Sequence, residues 1–173
     1  MQSVQLKNRI IVTMRPQKLV RFSEHMWFYT KYATLVSNTL KRPRVQKLLN
    51  WIIRREKIEK DDVKTVKVRV FPHRKKNGKG LAGRYTSKGE IIIYPKRLAF
   101  FRRKMHECKR QKVYFFIQSR AIATLIHEYL HVKYSDDEDK VRDLTKRYFS
   151  IFIRHRYEES SNERSILKLL FTK

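Results

Sequence analysis

The stretch IATLIHEYLHVKYSDDED, residues 122–139, sets two histidines around a glutamate and follows them with four consecutive acids. Residues four apart on a helix project about 40° from each other, so His127 and His131 can bring both imidazoles to one metal ion. Glu128 stands next to the first histidine, where its carboxylate can take a proton from metal-activated water. Ile122, Leu125, Ile126 and Tyr129 cluster on the opposite side. The back of this helix is therefore expected to enter a core while the histidines face a cleft. The same pentapeptide occurs on helices whose histidines bind nothing, so its surroundings must be read with it.

Downstream, Ser135 and Glu138 have the S-x-x-E spacing of a capping box, which predicts a second helix starting near Ser135. Asp136, Asp137 and Asp139 suit the positive end of that helix's dipole. Its buried face is drawn by Val141, Leu144, Tyr148, Phe149 and Phe152. In that phase Asp137 falls near the centre of the buried face, Glu138 towards its flank, and Asp136 points away. Asp137 is the expected third metal ligand, with Glu138 as the alternative.

Upstream, LKNRIIVTMRP predicts a short strand ending before Pro16. Leu19, Phe22, Met26, Tyr29 and Ala33 recur at helical spacing, and after Pro43 the pattern resumes with Val45, Leu48, Leu49, Ile52 and Ile53. Val66, Val68 and Val70 alternate with Lys67 and Arg69 as in a half-exposed strand. The Gly-rich, basic HRKKNGKGLAGR, residues 73–84, then leads into the β-branched run GEIIIYP, residues 89–95, predicting a hairpin or short meander. The fold class expected is α+β, a small antiparallel sheet or hairpin packed against helices that include the histidine helix. One domain is expected over 1–173, with a helical part at 1–60, a core at 63–155 and a helical tail at 156–173.

A basic strand, then LAGRYTSKGEIIIYP, then a helix bearing HEYLH resembles the minimal zincin metallopeptidases, particularly the SprT-like and related short-zincin families. The resemblance spans roughly Val66 to Phe149. It implies a zincin-like fold, a bound Zn2+ ion with His127 and His131 as ligands, and Glu128 as the general base of peptide-bond hydrolysis. In the short-zincin pattern HExxHxxxxxH the third ligand falls six residues after the second histidine, which is Asp137 here. SprT-like proteases commonly carry a separate zinc-binding module for DNA, whereas this chain has a single cysteine, Cys108. Nucleic-acid contact would have to come from its own basic surface. The resemblance also implies that the GEIIIYP strand edge pairs with an extended protein substrate. Tyr85 or Tyr129 is a candidate to steady the oxyanion.

Composition points the same way. The chain has 42 Lys and Arg against 16 acids, a formal charge of +26 on 173 residues. So much like charge on a small body is self-repulsive unless a partner neutralises it, and nucleic acid, DNA or rRNA, is the leading partner. The densest charge lies in two segments expected to flank the site. The first holds Arg74, Lys75, Lys76, Lys79 and Arg84; the second holds Lys96, Arg97, Arg102, Arg103, Lys104, Lys109, Arg110 and Lys112. No window approaches the roughly 18 apolar residues of a spanning helix, and no signal-peptide pattern opens the chain, so an intracellular, cytoplasmic location is expected. Two function classes stay open: a nucleic-acid-associated metallopeptidase, and a basic zincin-fold protein that binds structured RNA, as a ribosomal or ribosome-associated component would.

Overall fold

In the computed structural model, which describes residues 6–154 and 170–171, a 3-10 turn at Leu6–Arg9 enters the first strand, β1 (Ile10–Thr13). The helical stripe that follows is present but broken. A 3-10 turn at Ser23–His25 separates α1 (Leu19–Phe22) from α2 (Met26–Leu40). Phe22, Tyr29 and Ala33 are buried as their spacing predicts, while Leu19 is exposed. Pro43, whose fixed φ suits a first helical position, opens α3 (Pro43–Glu56), and its Val45, Leu48, Leu49, Ile52 and Ile53 all enter the core.

The strands β2 (Thr65–Arg69), β3 (Gly83–Thr86) and β4 (Glu90–Ile93) join β1 in one sheet of order β1-β2-β4-β3. The expectation of an antiparallel sheet needs correction here. β1, β2 and β4 run parallel, and only β3 is antiparallel, as a hairpin with β4. In that hairpin Gly89, at φ +74, closes the turn with its N–H on the Thr86 carbonyl. A side chain there would meet the Asp62 carbonyl at 2.8 Å. β4 is an interior strand, which is why Ile91, Ile92 and Ile93 form an unbroken buried run rather than an alternating one.

Past α4 (Leu98–Lys104) the chain enters the long helix α5 (Arg110–Tyr134), then α6 (Glu138–Arg154). Helices α2 and α5 pack on the sheet, and α6 packs along α5. Val66, Val68, Ile91 and Ile93 meet Ile122, Leu125, Ile126 and Leu130 in one hydrophobic core. The architecture is thus α+β with a small mixed sheet. Of the expected tail at 156–173, only Leu170 and Phe171 lie within the described residues, and Phe171 packs edge-on against Phe149. Among the described residues no helix is long and apolar enough to cross a membrane.

Candidate metal centre

His127, Glu128 and His131 occupy the C-terminal third of α5, the part held between the sheet and α6. A buried row of Ile122, Leu125, Ile126 and Leu130 anchors the helix from behind, and this orients the histidines outward. They open into a cleft of about 920 Å³ between β3, the loop before it and the start of α6.

The ring nitrogens are arranged by what their far sides touch. His131 Nδ1 lies 2.5 Å from the Ser135 carbonyl, which can only accept, so Nδ1 carries the proton. His127 Nδ1 lies 3.4 Å from Thr145 Oγ1, whose own hydroxyl donates to the Val141 carbonyl at 2.7 Å. That places a proton on His127 Nδ1 as well. Both Nε2 atoms then present lone pairs to the cleft, the tautomer a metal ligand requires. Burial pushes the His127 imidazole down to about 4, overcoming the opposing pull of Glu138, so it is neutral at physiological pH.

The two Nε2 atoms stand 3.1 Å apart. Glu138 completes the group, with Oε1 3.4 Å from His127 Nε2 and Oε2 3.2 Å from His131 Nε2. Ligand atoms sharing a tetrahedral ion at bonds of about 2.0–2.1 Å sit roughly 3.3 Å from one another. The separation of the two Nε2 atoms is close to that figure, each histidine has one of the two Glu138 oxygens at a similar distance, and two facing lone pairs beside a carboxylate call for a positive charge between them. His127, His131 and Glu138 can hold a metal ion. Arg142, 3.6 Å from Glu138 Oε1, pairs with the same carboxylate.

The third acid is therefore Glu138, the alternative, and not Asp137. The reason lies in how α6 begins. Ser135 does not cap it: at φ +43 it terminates α5, its N–H on the His131 carbonyl. Asp137 takes the capping role, Oδ1 accepting from the Lys140 N–H at 3.2 Å, and Asp137 is exposed. A capping side chain folds over its own helix and cannot also reach the histidines.

Glu128 is buried at the inner wall of the same cleft, and burial pushes its carboxyl up to about 7. Two opposing influences are the histidine at 131 and the backbone N–H of Tyr85. That amide is available because Tyr94 N–H bonds to the Ala82 carbonyl, which puts Ala82 and Arg84 in the phase paired with β4. Gly83 and Tyr85 consequently direct their backbone groups away from β4, along the free edge of the sheet. The edge beside the site is thus β3, since GEIIIYP forms the interior strand β4. Neither candidate tyrosine reaches the reacting position: Tyr85 Oη donates to the Asp62 carbonyl at 3.1 Å, and Tyr129 lies on the opposite face of α5.

The basic segments separate. Lys75 and Arg84 line the cleft, and Arg74, Lys76 and Lys79 are exposed in the adjoining loop. The second segment lies elsewhere: Arg110, at the other end of α5, precedes His127 by seventeen residues, about 25 Å of helix. There Arg110 is spent on Tyr114, Nε to Oη 2.7 Å, and Lys96 is half-buried over the Phe100 ring. Arg102, Arg103, Lys104 and Lys109 are exposed and Lys112 is half-buried.

A cation cluster that sequence reading did not assemble lies near the C-terminal ends of β1 and β2. Burial, followed by repulsion from Arg15, Arg21, Arg69 and Arg97, lowers the Lys18 ammonium. Burial and then Lys18, Arg15 and Arg84 likewise lower His73. The Nε atoms of Arg69 and Arg97 are buried without a hydrogen-bond partner. Glu90, the acid among their neighbours, is held by Lys67 at 2.5 Å. The residues come from four segments: Arg84 and Arg97 belong to the two charge runs, whereas Arg15, Lys18 and Arg69 lie outside them. For Arg69 the available sign was its strand alternation with Val68 and Val70.

Comparison of the chain with protein-family models, curated proteins and solved structures finds no match.

Proposed function

We propose that this chain is a nucleic-acid-associated, zinc-dependent metallopeptidase of the SprT-like zincin kind. The observation that carries the reading is the convergence of His127, His131 and Glu138 in one cleft with a buried Glu128 and the free edge of β3. Two imidazoles and a carboxylate make a donor set used by catalytic zinc, with a position left for substrate. Zinc, when bound, supplies Lewis acidity that polarises a carbonyl and acidifies water.

The chain's own residues do the rest. Glu128, held near neutrality by burial, accepts a proton from the attacking water and returns it to the leaving amine. The outward backbone groups of Gly83 and the Tyr85 carbonyl align an extended peptide along β3, past the metal ligands, while the Tyr85 N–H stays on Glu128. Ser135 and Thr145 keep the histidine rings in register through their Nδ1 contacts. Lys75 and Arg84 connect the cleft to the cationic surface, so a protein bound to nucleic acid would be presented at the site.

The test is zinc content and proteolysis of a nucleic-acid-bound protein, with DNA and RNA arms. One zinc per chain is expected, lost in His131→Ala, and Glu128→Gln is expected to retain zinc while losing proteolysis. Failure of the wild-type chain to retain zinc would overturn the metal reading. A zinc-loaded chain that cleaves nothing on either nucleic acid would favour the second reading, a zincin-fold RNA-binding component. That reading draws on the cluster of Arg15, Lys18, Arg69 and Arg97, in which the cations repel one another and two guanidinium Nε atoms are buried without a partner among the described residues.

A further inference from the structure

A second cavity, of about 490 Å³, opens behind α5 on the face opposite the histidines. This volume falls within the roughly 300–1,000 Å³ of small-ligand sites. Its inner end is Tyr129, 1% exposed, whose hydroxyl has no hydrogen-bond partner. A buried hydroxyl without a partner is costly, and few native side chains are left so without a reason.

The mouth has the opposite character. Lys7, Arg9, Lys41, Lys47 and Lys60 line the cavity, and among the described residues no acid does. Arg9 is fixed in place by its own contacts, donating to the Lys60 and Val63 carbonyls at 2.8 and 2.7 Å and facing Asp61 at 3.6 Å. The lysines carry no such ties among the described hydrogen bonds and ion pairs. Pro43 also lines the cavity, and it starts α3, a helix whose N-terminus has no side-chain cap. Its first-turn N–H groups and dipole add to the positive field there. Leu6 and Ile53 supply apolar wall between the cationic mouth and the tyrosine.

We propose that this cavity binds a small organic phosphate of mononucleotide size. The phosphate sits among Lys41, Lys47 and the N-terminus of α3. The body lies against Leu6 and Ile53, with an acceptor group turned to the Tyr129 hydroxyl. The proposal is independent of the metal centre, since it shares no side chain with it.

A chain of charge +26 attracts phosphate everywhere, so the test must separate this cavity from diffuse attraction. Calorimetric titration of the full chain with AMP and with inorganic phosphate, at moderately high salt, provides the readout. Tyr129→Phe keeps both shape and charge. It is expected to weaken AMP binding about tenfold while leaving inorganic phosphate nearly unchanged. Lys41→Ala combined with Lys47→Ala, the first half-buried and the second exposed, is expected to weaken both ligands by tenfold or more, and Arg69→Ala neither. The proposal is overturned if AMP shows no saturable binding, or if its binding ignores Tyr129→Phe and the lysine pair. It is equally overturned if a 5′-phosphorylated oligonucleotide depends on Tyr129, Lys41 and Lys47 while AMP does not bind, because the cavity would then hold a nucleic-acid end.

Discussion

Gly83 on β3 leaves open the space that Glu128 on α5 occupies: a Cβ at position 83 would stand 3.0 Å from Glu128 Oε1 and 2.6 Å from Thr124 Cγ2. The backbone of Gly83 needs no left-handed conformation, so the demand for glycine is one of room. Gly83→Ala must therefore displace the strand, the Thr124 methyl or the Glu128 side chain. Displacements on the order of 1 Å at a reacting group cost up to about a hundredfold in rate. The expected outcome is a ten- to hundredfold loss of the proposed peptidase activity with metal content unchanged, measured by turnover and elemental analysis on the same preparation. Full activity in Gly83→Ala would show that this packing does not position Glu128.

Adjacent acids at the start of α6 are expected to separate in their effects. Glu138→Ala removes a carboxylate 3.2–3.4 Å from both histidines, and metal retention after dialysis should fall by at least tenfold. Asp137→Ala removes the cap on the Lys140 N–H. It should lower stability by about 1 kcal/mol while leaving metal retention intact. Thermal melts and metal analysis of the two variants check this, and a reversed pattern would return the ligand role to Asp137.

The difference between those two residues marks where the sequence was readable and where it was not. The four-residue spacing of His127 and His131, with apolar residues behind them, is a property of the helix itself, and both histidines share the cleft. Which acid joins the two histidines depended on where α6 starts, and Ser135 looked like a cap by its spacing to Glu138. The positive φ of Ser135 is imposed by the tight turn from α5, a tertiary constraint with no local signature. Strand positions were legible by alternation at Val66 and Val68. Alternation identifies faces and not partners, so the parallel pairing of β1, β2 and β4, and with it the edge position of β3, was not. The cluster of Arg15, Lys18, Arg69 and Arg97 is a product of that same pairing, which sets Thr13 beside Arg69.

Glu128 gives a stability prediction independent of turnover. Its carboxyl is raised by burial to about 7, above the ordinary value of 4.5. In the metal-free chain the unfolded state therefore releases this proton first, and stability falls as pH rises from about 4.5 to 7. The full difference amounts to roughly 3 kcal/mol. With a chelator present, Glu128→Gln should melt higher than wild type at pH 8 and about equal to it at pH 4. Equal melting at both values would mean that Glu128 is ionised without penalty.

Glu56 should behave in the opposite sense. Although burial alone would raise it, hydrogen bonds from Tyr134 (2.6 Å) and Tyr148, with Lys133 nearby, hold its carboxyl below the usual value. Tyr148 is correspondingly pushed up to about 12, by burial and by Glu56. A lowered carboxylate contributes stability that is present above about 4.5 and is lost as pH falls through its folded value. These bonds tie α3 to α5 and α6, so their loss also loosens the helix that carries Glu138. Glu56→Gln should cost about 1–3 kcal/mol at pH 7 and make acid unfolding below pH 4.5 shallower, as followed by circular dichroism. An unchanged acid transition would remove Glu56 from this role.

Arg69 and Arg97 carry the prediction for the cationic cluster. Their buried, unpartnered Nε atoms mean that each guanidinium is already partly stripped of water, which lowers the cost of drying the rest of the group against a phosphate. If both contact the phosphate backbone, replacing either by Ala removes about one released counterion. The slope of log affinity against log salt should then flatten by about 0.9 per substitution for duplex DNA, or about 0.7 for a single strand. The loss should be uniform across sequences, because phosphate contacts position a partner without reading its bases. Lys104→Ala, at an exposed position beyond the cluster, serves as the comparison. Fluorescence anisotropy with two unrelated oligonucleotides over a salt series decides it: a slope unchanged in Arg69→Ala and Arg97→Ala but reduced in Lys104→Ala would move the interface from the sheet to α4.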